Sequence, residues 1–112
     1  MPIHCEDYNQ ICVLRIDGEL AGEDVAVARK AVESAIEQKQ IVDFVVDLDQ
    51  TPFIDSEGLE ALLWMKQRCE EHFGQLKLAR LDDTCRKIMQ ITRLDHRIEC
   101  HGNLEAALKT MR

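Results

Sequence analysis

The sequence predicts a single α/β domain, and three observations support this fold class. The chain has 112 residues, which is enough to bury one hydrophobic core but too few for two. Short apolar strand patterns alternate with stretches in which apolar residues recur at helical spacing. No repeat, linker or low-complexity segment interrupts this alternation. Strands separated by helical crossovers indicate an α/β sheet, and right-handed crossovers leave few possible topologies.

The strand predictions rest on short apolar runs. The first clear strand is 11–16, which stops at Gly18, and a less distinct edge strand precedes it at 3–8. The run at 42–48 lacks clean alternation, as expected for a central strand that is covered on both faces. Two shorter strands complete the predicted sheet, at 76–79 and 98–100.

The helix predictions rest on apolar stripes between polar positions. Gly74 follows the second stripe and suits the C-terminal cap of that helix, while Asn103 suits the N-cap of the last one. The predicted helices are 22–39, 56–72, 83–91 and 104–111.

The charge of the chain excludes one class of function. The net charge is −7, from 14 basic and 21 acidic residues, and no basic run could neutralise nucleic-acid phosphates. We therefore expect no direct nucleic-acid binding, so any effect on transcription would pass through another protein.

No apolar stretch is long enough to span a membrane, and the short polar start resembles no export signal. These features predict a cytoplasmic protein without membrane insertion, and a monomer when isolated.

The cysteines and histidines predict neither a disulfide framework nor a metal site. The five cysteines include no C-x-x-C pair, and an odd count suits free thiols, three of them at core-like positions: Cys12, Cys69 and Cys85. The role of Cys100, beside His101, stays open. The four histidines show no paired metal spacing, and neither a Walker loop nor G-x-G-x-x-G is present, so we expect no metal and no cofactor.

The most informative segment is 41–59, where a buried strand leads into a helix. Ser56 falls at the start of that helix, between Asp55 and Glu57. The first turn of a helix has unpaired N–H groups and a partial positive charge, so a hydroxyl there is either a cap or the attachment point of an anion. An N-cap role is worth about 1 kcal/mol, and phosphorylation would add a charge of about −1.5 to −2. The two roles are compatible.

A hydrolase is the less favoured alternative for Ser56. Asp55 and a distant histidine superficially suggest a catalytic triad. A nucleophile elbow, however, needs G-x-S-x-G, and Ile54 stands two positions before the serine. The sequence therefore predicts a protein that is not an enzyme, with no catalytic residues.

In the same segment, an acidic strand end is followed by Pro52, Phe53, Ile54, Asp55, Ser56, one variable residue and Gly58. This pattern resembles the signature of the STAS family, whose best-known members are bacterial anti-sigma factor antagonists. Further similarities in order and spacing cover nearly the whole chain: Gly18 to Leu20, Gly74, Ile91 to Asp95 and Leu104 to Leu108. The resemblance implies one STAS-like domain over 1–112, with a small mixed β-sheet and helices packed mainly on one face.

The resemblance also implies a partner-switching mechanism. The unphosphorylated protein would bind a serine kinase that doubles as an anti-sigma factor, phosphorylation of Ser56 by that kinase would end the interaction, and a phosphatase would reset it. Asp55 would position the serine hydroxyl, and Gly58 would allow close approach of the partner, although a packing role explains that glycine equally well. The expected partner-binding residues are Phe53, Asp55, Ser56, Glu57, Gly58 and Glu23.

Two points qualify this assignment of roles. Many phosphorylatable relatives have an acidic residue where this chain has Ala21, with Glu23 and Asp24 only later, which puts kinase contact at that edge in question. Trp64 falls toward the edge of a buried stripe and would be a contact candidate if exposed, since aromatic residues dominate binding hot spots.

The alternative function is a constitutive accessory subunit of a membrane complex for lipid or anion transport, as some stand-alone STAS domains are.

Overall fold

A mixed five-stranded sheet forms the centre of the computed structural model, which describes residues 3–111. The first strand pairs antiparallel with the second, and the remaining pairs are parallel. The strands lie side by side in chain order: β1 (Ile3–Tyr8), β2 (Ile11–Ile16), β3 (Asp43–Asp47), β4 (Leu76–Ala79) and β5 (Cys100–His101). The predicted mixed α/β sheet is confirmed, and its last strand begins two residues later than the sequence indicated.

Four α-helices connect or follow these strands in the described part of the chain. They are α1 (Asp24–Lys39), α2 (Ser56–Glu71), α3 (Asp83–Ile91) and α4 (Leu104–Lys109), and a short 3₁₀ helix spans Leu94–His96. No helix within residues 3–111 combines the length and the apolar character needed to cross a lipid bilayer.

The sheet buries apolar side chains on both faces. On one face Leu14, Phe44 and Leu78 are fully buried and belong to the large core that the first three helices cover. On the other face Val45 packs in a smaller cluster with Ala107 of α4. Residues of β3 belong to both clusters, because alternate residues of a strand point to opposite faces of the sheet. The predicted placement of most helices on one face, with β3 as a central strand, is therefore confirmed.

The C-terminal end of α2 differs from the prediction for Gly74. Phe73 adopts the left-handed conformation, with φ of 64°, and its N–H bonds to the Glu70 carbonyl oxygen while the Gly74 N–H bonds to that of Cys69. This pattern is a Schellman motif with phenylalanine, rather than glycine, in the left-handed position. A Cβ at Gly74 would lie 1.9 Å from the Val42 carbonyl oxygen, so this glycine permits close packing of the helix end on the neighbouring chain.

The prediction of five free thiols is wrong, because Cys5 and Cys12 form a disulfide. Cys5 lies opposite Leu14 across the β1–β2 pair, which places it on the same face as Cys12, diagonally across the two strands. Their Cα atoms are 6.0 Å apart, a usual separation for a disulfide. The free thiols among residues 3–111 are Cys69, Cys85 and Cys100.

A buried ion pair holds the segment that leads from β3 to α2. Asp47 is 2% exposed, and Arg80 donates from Nη2 to its Oδ2 at 2.6 Å and from Nε to its Oδ1 at 3.1 Å. This bidentate contact raises the pKa of the Arg80 guanidinium. The same carboxylate accepts a hydrogen bond from the Asp49 N–H at 3.1 Å. Asp47 therefore anchors both β4 and the first residues of the loop that presents α2.

Candidate functional site

The N-cap of α2 is Asp55, not Ser56. Asp55 has an extended backbone, and its Oδ1 accepts from the Gly58 N–H at 2.7 Å. Its Oδ2 accepts from the Gly22 N–H at 3.1 Å, which ties the helix start to the loop before α1. The N-cap role considered for Ser56 is therefore wrong. The expectation that Asp55 positions the serine hydroxyl is not supported either, since both Asp55 oxygens bond backbone N–H groups.

Ser56 is the first helical residue of α2, and its side chain is exposed. No hydrogen bond to the Ser56 hydroxyl forms within the described range 3–111. In an α-helix the N–H groups of the first turn, here including those of Ser56 and Glu57, have no partner inside the helix. These groups form the positive end of the helix dipole. A free hydroxyl thus lies beside backbone groups that favour negative charge.

The hydroxyl of Thr51 is buried, in contrast to that of Ser56. Thr51 lies only five positions before Ser56, but it is 1% exposed, and its hydroxyl donates to the Ile16 carbonyl oxygen at 2.7 Å. Of these two hydroxyls in the β3–α2 segment, only that of Ser56 is open to a modifying enzyme.

Gly58 is buried against its own chain. A Cβ at this position would lie 2.2 Å from the Leu20 carbonyl oxygen and 2.8 Å from Cγ2 of Ile54. Leu20 accepts from the Asp55 N–H at 3.2 Å and donates to Phe53 at 3.0 Å, forming an isolated parallel bridge between the two loops. The structure supports the packing explanation for Gly58. A contact between Gly58 and a partner stays a prediction.

Replacing Gly58 with alanine should destabilise the protein, because the new methyl group meets the Leu20 carbonyl oxygen, a backbone atom that cannot rotate away. We expect a loss of about 1–3 kcal/mol in the free energy of unfolding, the usual cost of overpacking. Gly102→Ala is the matched control, since a Cβ there meets nothing within 4 Å. Urea unfolding of both variants measures the difference. Equal stability of Gly58→Ala and Gly102→Ala would show that the Leu20 loop is not packed against α2 as described.

The exposed residues around Ser56 form an acidic surface with an apolar part. Glu23 and Glu57 are exposed, and neither takes part in an ion pair within residues 3–111. Phe53 is 42% exposed. Because the Gly22–Asp55 hydrogen bond joins the two loops, Glu23 belongs to the same end of the molecule as Ser56. We call Glu23, Phe53, Ser56 and Glu57 the α2-start surface.

Val27 and Trp64 are two further apolar side chains that are not fully buried. Val27, in the first turns of α1, is 43% exposed, and the sequence analysis did not select it. It lies outside the buried stripe of that helix. An apolar residue at such a position was the feature of the sequence that could have identified Val27 as exposed. Trp64 is partly buried, and the Arg29 guanidinium lies 5.1 Å from its ring centroid. Trp64 was expected to be a contact residue only if it were exposed, and its partial burial meets this condition only in part.

The histidines do not complete a triad with Ser56. His4 and His96 lie 3.4 and 3.8 Å from the carboxylates of Asp17 and Asp95, and His101 contacts Glu99. No hydrogen bond or ion pair in the part of the chain that the structure describes joins a histidine to Ser56. The arrangement at α2 therefore offers an accessible acceptor hydroxyl on a capped helix start, with no base positioned to activate it as a nucleophile.

Comparison with known proteins agrees with this fold. The sequence matches the STAS domain over residues 3–107, so the chain belongs to the STAS domain family. It is 21% identical over 94 residues to an anti-sigma F factor antagonist of Paenibacillus polymyxa, covering 84% of this chain and 80% of that protein.

Solved structures show the same fold at low sequence identity. A protein assigned as an anti-sigma factor antagonist in Thermotoga maritima superimposes with a TM-score of 0.92 at 17% identity, covering 98% and 94% of the two chains. Unphosphorylated SpoIIAA, an anti-sigma factor antagonist, gives 0.83 at 24% identity, covering 97% and 95%. Its phosphorylated form, from Bacillus, gives 0.76, covering 99% and 100%. A sulfate transporter family protein of Wolinella succinogenes also gives 0.76, at 15% identity, covering 93% and 86%.

Proposed function

We propose that this protein is a phosphorylation-controlled adaptor of the anti-sigma factor antagonist type. In its unphosphorylated state it binds a serine kinase that also acts as an anti-sigma factor. That kinase phosphorylates Ser56 and thereby ends the interaction, and a serine phosphatase restores the binding state. The protein itself is a cytoplasmic monomer that catalyses no reaction and binds no nucleic acid.

The observation that carries this proposal is the division of roles between Asp55 and Ser56. Asp55 caps α2 and fixes the loop before α1, while the Ser56 hydroxyl is exposed and makes no hydrogen bond within residues 3–111. Ser56 can therefore accept a phosphate without loss of the helix cap. The known phosphorylated form of SpoIIAA supports the same chemistry for a relative of this fold.

Charge explains how the modification would end binding. A phosphate adds about −1.5 to −2 units of charge at pH 7. The helix dipole tolerates this charge, so α2 remains folded. The neighbouring Glu57 and Glu23 are already negative and have no cationic partner within the described chain. A partner that tolerates the unmodified acidic surface then meets a concentrated negative patch, and like-charge contacts oppose docking.

Incubation with ATP and extract of the source cells tests the modification itself. Phosphopeptide mapping by mass spectrometry should place phosphate on Ser56, and Ser56→Ala should remove this signal. Thr51, whose hydroxyl is buried and bonded, should remain unmodified. Phosphate on another residue, with none on Ser56 in an extract shown to contain active serine kinases, would contradict the proposal.

The second candidate is a constitutive accessory subunit of a membrane lipid or anion transport complex. The structural likeness to the Wolinella succinogenes sulfate transporter family protein favours it. In that case the α2-start surface would be a permanent docking site, and a membrane complex recovered with the protein would not depend on Ser56.

A further inference from the structure

We propose that Cys5 and Cys12 form a reversible redox pair, in which Cys5 exchanges with low-molecular-weight disulfides and Cys12 resolves the product. The pair lies outside the α2-start surface and is independent of the function proposed above. The basis is the disulfide itself and the opposite environments of its two sulfur-bearing residues.

The two cysteines differ sharply in access. Cys5 is exposed on the edge strand β1, whereas Cys12 is 0% exposed and belongs to the main core. An external disulfide can reach only Cys5. The register of the hairpin then holds Cys12 diagonally beside it, so the second sulfur is already in place when the first has reacted.

The proposed oxidation balances as two successive exchanges. The Cys5 thiolate attacks one sulfur of the small disulfide, forming a mixed disulfide and releasing one small thiolate. The Cys12 thiol then loses its proton and attacks the Cys5 sulfur, which releases the second small thiolate and forms the internal disulfide. Two protein thiols are oxidised and one small disulfide is reduced to two thiols, which take up the two protons.

The remaining cysteines are poor competitors in this chemistry. Burial raises the pKa of Cys69 and of Cys85 to about 12, and that of Cys100 to about 11. The thiolate is the nucleophile, so these three residues are disfavoured in the first attack on the external disulfide, which is the step assigned to Cys5. Cys100 is exposed as a residue, although its thiol is partly buried and donates to the Ile98 carbonyl oxygen at 3.4 Å, and it serves as the matched control.

The position of the pair limits what its oxidation can change. Cys12 lies opposite Phe44 at the beginning of β3, whereas Ser56 follows the end of that strand. Oxidation links the exposed edge strand β1 to β2 at the end of the sheet away from the first turn of α2. We therefore expect it to protect the amides of β1 and to leave the α2-start surface unchanged.

The test uses fully reduced protein, with the reductant removed under anaerobic conditions, and oxidised glutathione as the probe. Alkylation in denaturant and intact mass should show that wild type loses two of its five reactive thiols and retains no glutathione. Cys12→Ala should keep glutathione on Cys5, and Cys5→Ser should form no internal disulfide. Cys100→Ala should behave as wild type. Hydrogen exchange should show slower exchange of the β1 amides after oxidation.

Three results would overturn the proposal. One is a stable glutathione adduct on Cys5 of wild type with no internal disulfide, and another is a disulfide that includes Cys100. The third concerns Asp7, whose carboxylate lies with both sulfurs in a group of ligand atoms within 4.8 Å of one another. If the reduced protein binds one Zn²⁺ per chain and the metal blocks oxidation, the cluster is a metal site rather than a redox pair.

Discussion

Ser56→Asp is expected to weaken the complex with the proposed partner kinase roughly 100-fold, equivalent to about 2.8 kcal/mol of binding free energy. Aspartate at this position places a permanent charge between Asp55 and Glu57, where phosphorylation would place a larger one. The fold should be preserved, because Asp55 remains the cap and acidic residues are favourable in the first turn of a helix. Calorimetric titration of wild type and variant with the partner measures the change.

Ser56→Ala is the matched control for this prediction. The serine hydroxyl makes no hydrogen bond within residues 3–111, so its removal should change neither stability nor affinity appreciably. Both variants should unfold close to wild type, which separates a binding defect from a folding defect. Binding of Ser56→Asp with wild-type affinity would mean that charge at the α2 start does not control the complex.

Arg80→Ala is expected to produce the largest loss of stability among the single substitutions considered. Removing one partner of a buried ion pair costs about 3–5 kcal/mol, since the other charge stays buried. The Arg80 side chain is 36% exposed, so we expect a loss at the low end, about 3 kcal/mol. Alanine has a Cβ like arginine and meets the same left-handed backbone, with φ of 59°, so the change isolates the side chain.

Urea unfolding of Arg80→Ala should be compared with that of Arg86→Ala. Arg86 pairs with Asp83 at 3.7 Å, but both side chains are largely exposed, at 56% and 92%. The Arg86 variant should therefore change by no more than about 0.5 kcal/mol. Adding Asp47→Asn to Arg80→Ala should recover part of the loss, because the unpaired buried charge is then removed. Similar stability of the two arginine variants would contradict the role assigned to the Asp47–Arg80 pair.

The sequence predicted those features that depend on local pattern. Apolar periodicity is a property of neighbouring residues, so the order of strands and helices and the buried character of β3 could be obtained without tertiary information. The segment 53–58 likewise identified the helix start and the serine in its first turn. The STAS resemblance placed the chain in the family that the comparison then confirmed.

The features that the sequence did not predict depend on contacts between distant segments. Asp55 and Ser56 are both good capping residues, and the structure selects Asp55, which also bonds Gly22, 33 residues earlier in the chain. The Cys5–Cys12 bond depends on the register of an edge strand with a weak sequence signal. The role of Gly74 depends on Val42, which only the folded chain brings close. The same limit explains why Gly58 could be assigned either to a partner or to packing.

The most direct test of the central claim compares the protein with and without phosphate on Ser56. Wild type is phosphorylated by the partner kinase, the singly modified and unmodified forms are separated by ion exchange, and the affinity of each for the kinase is measured by calorimetry. The account predicts tight binding of the unmodified form, loss of binding when the phosphate is on Ser56, and recovery after phosphatase treatment. Equal affinity of the two forms would contradict it.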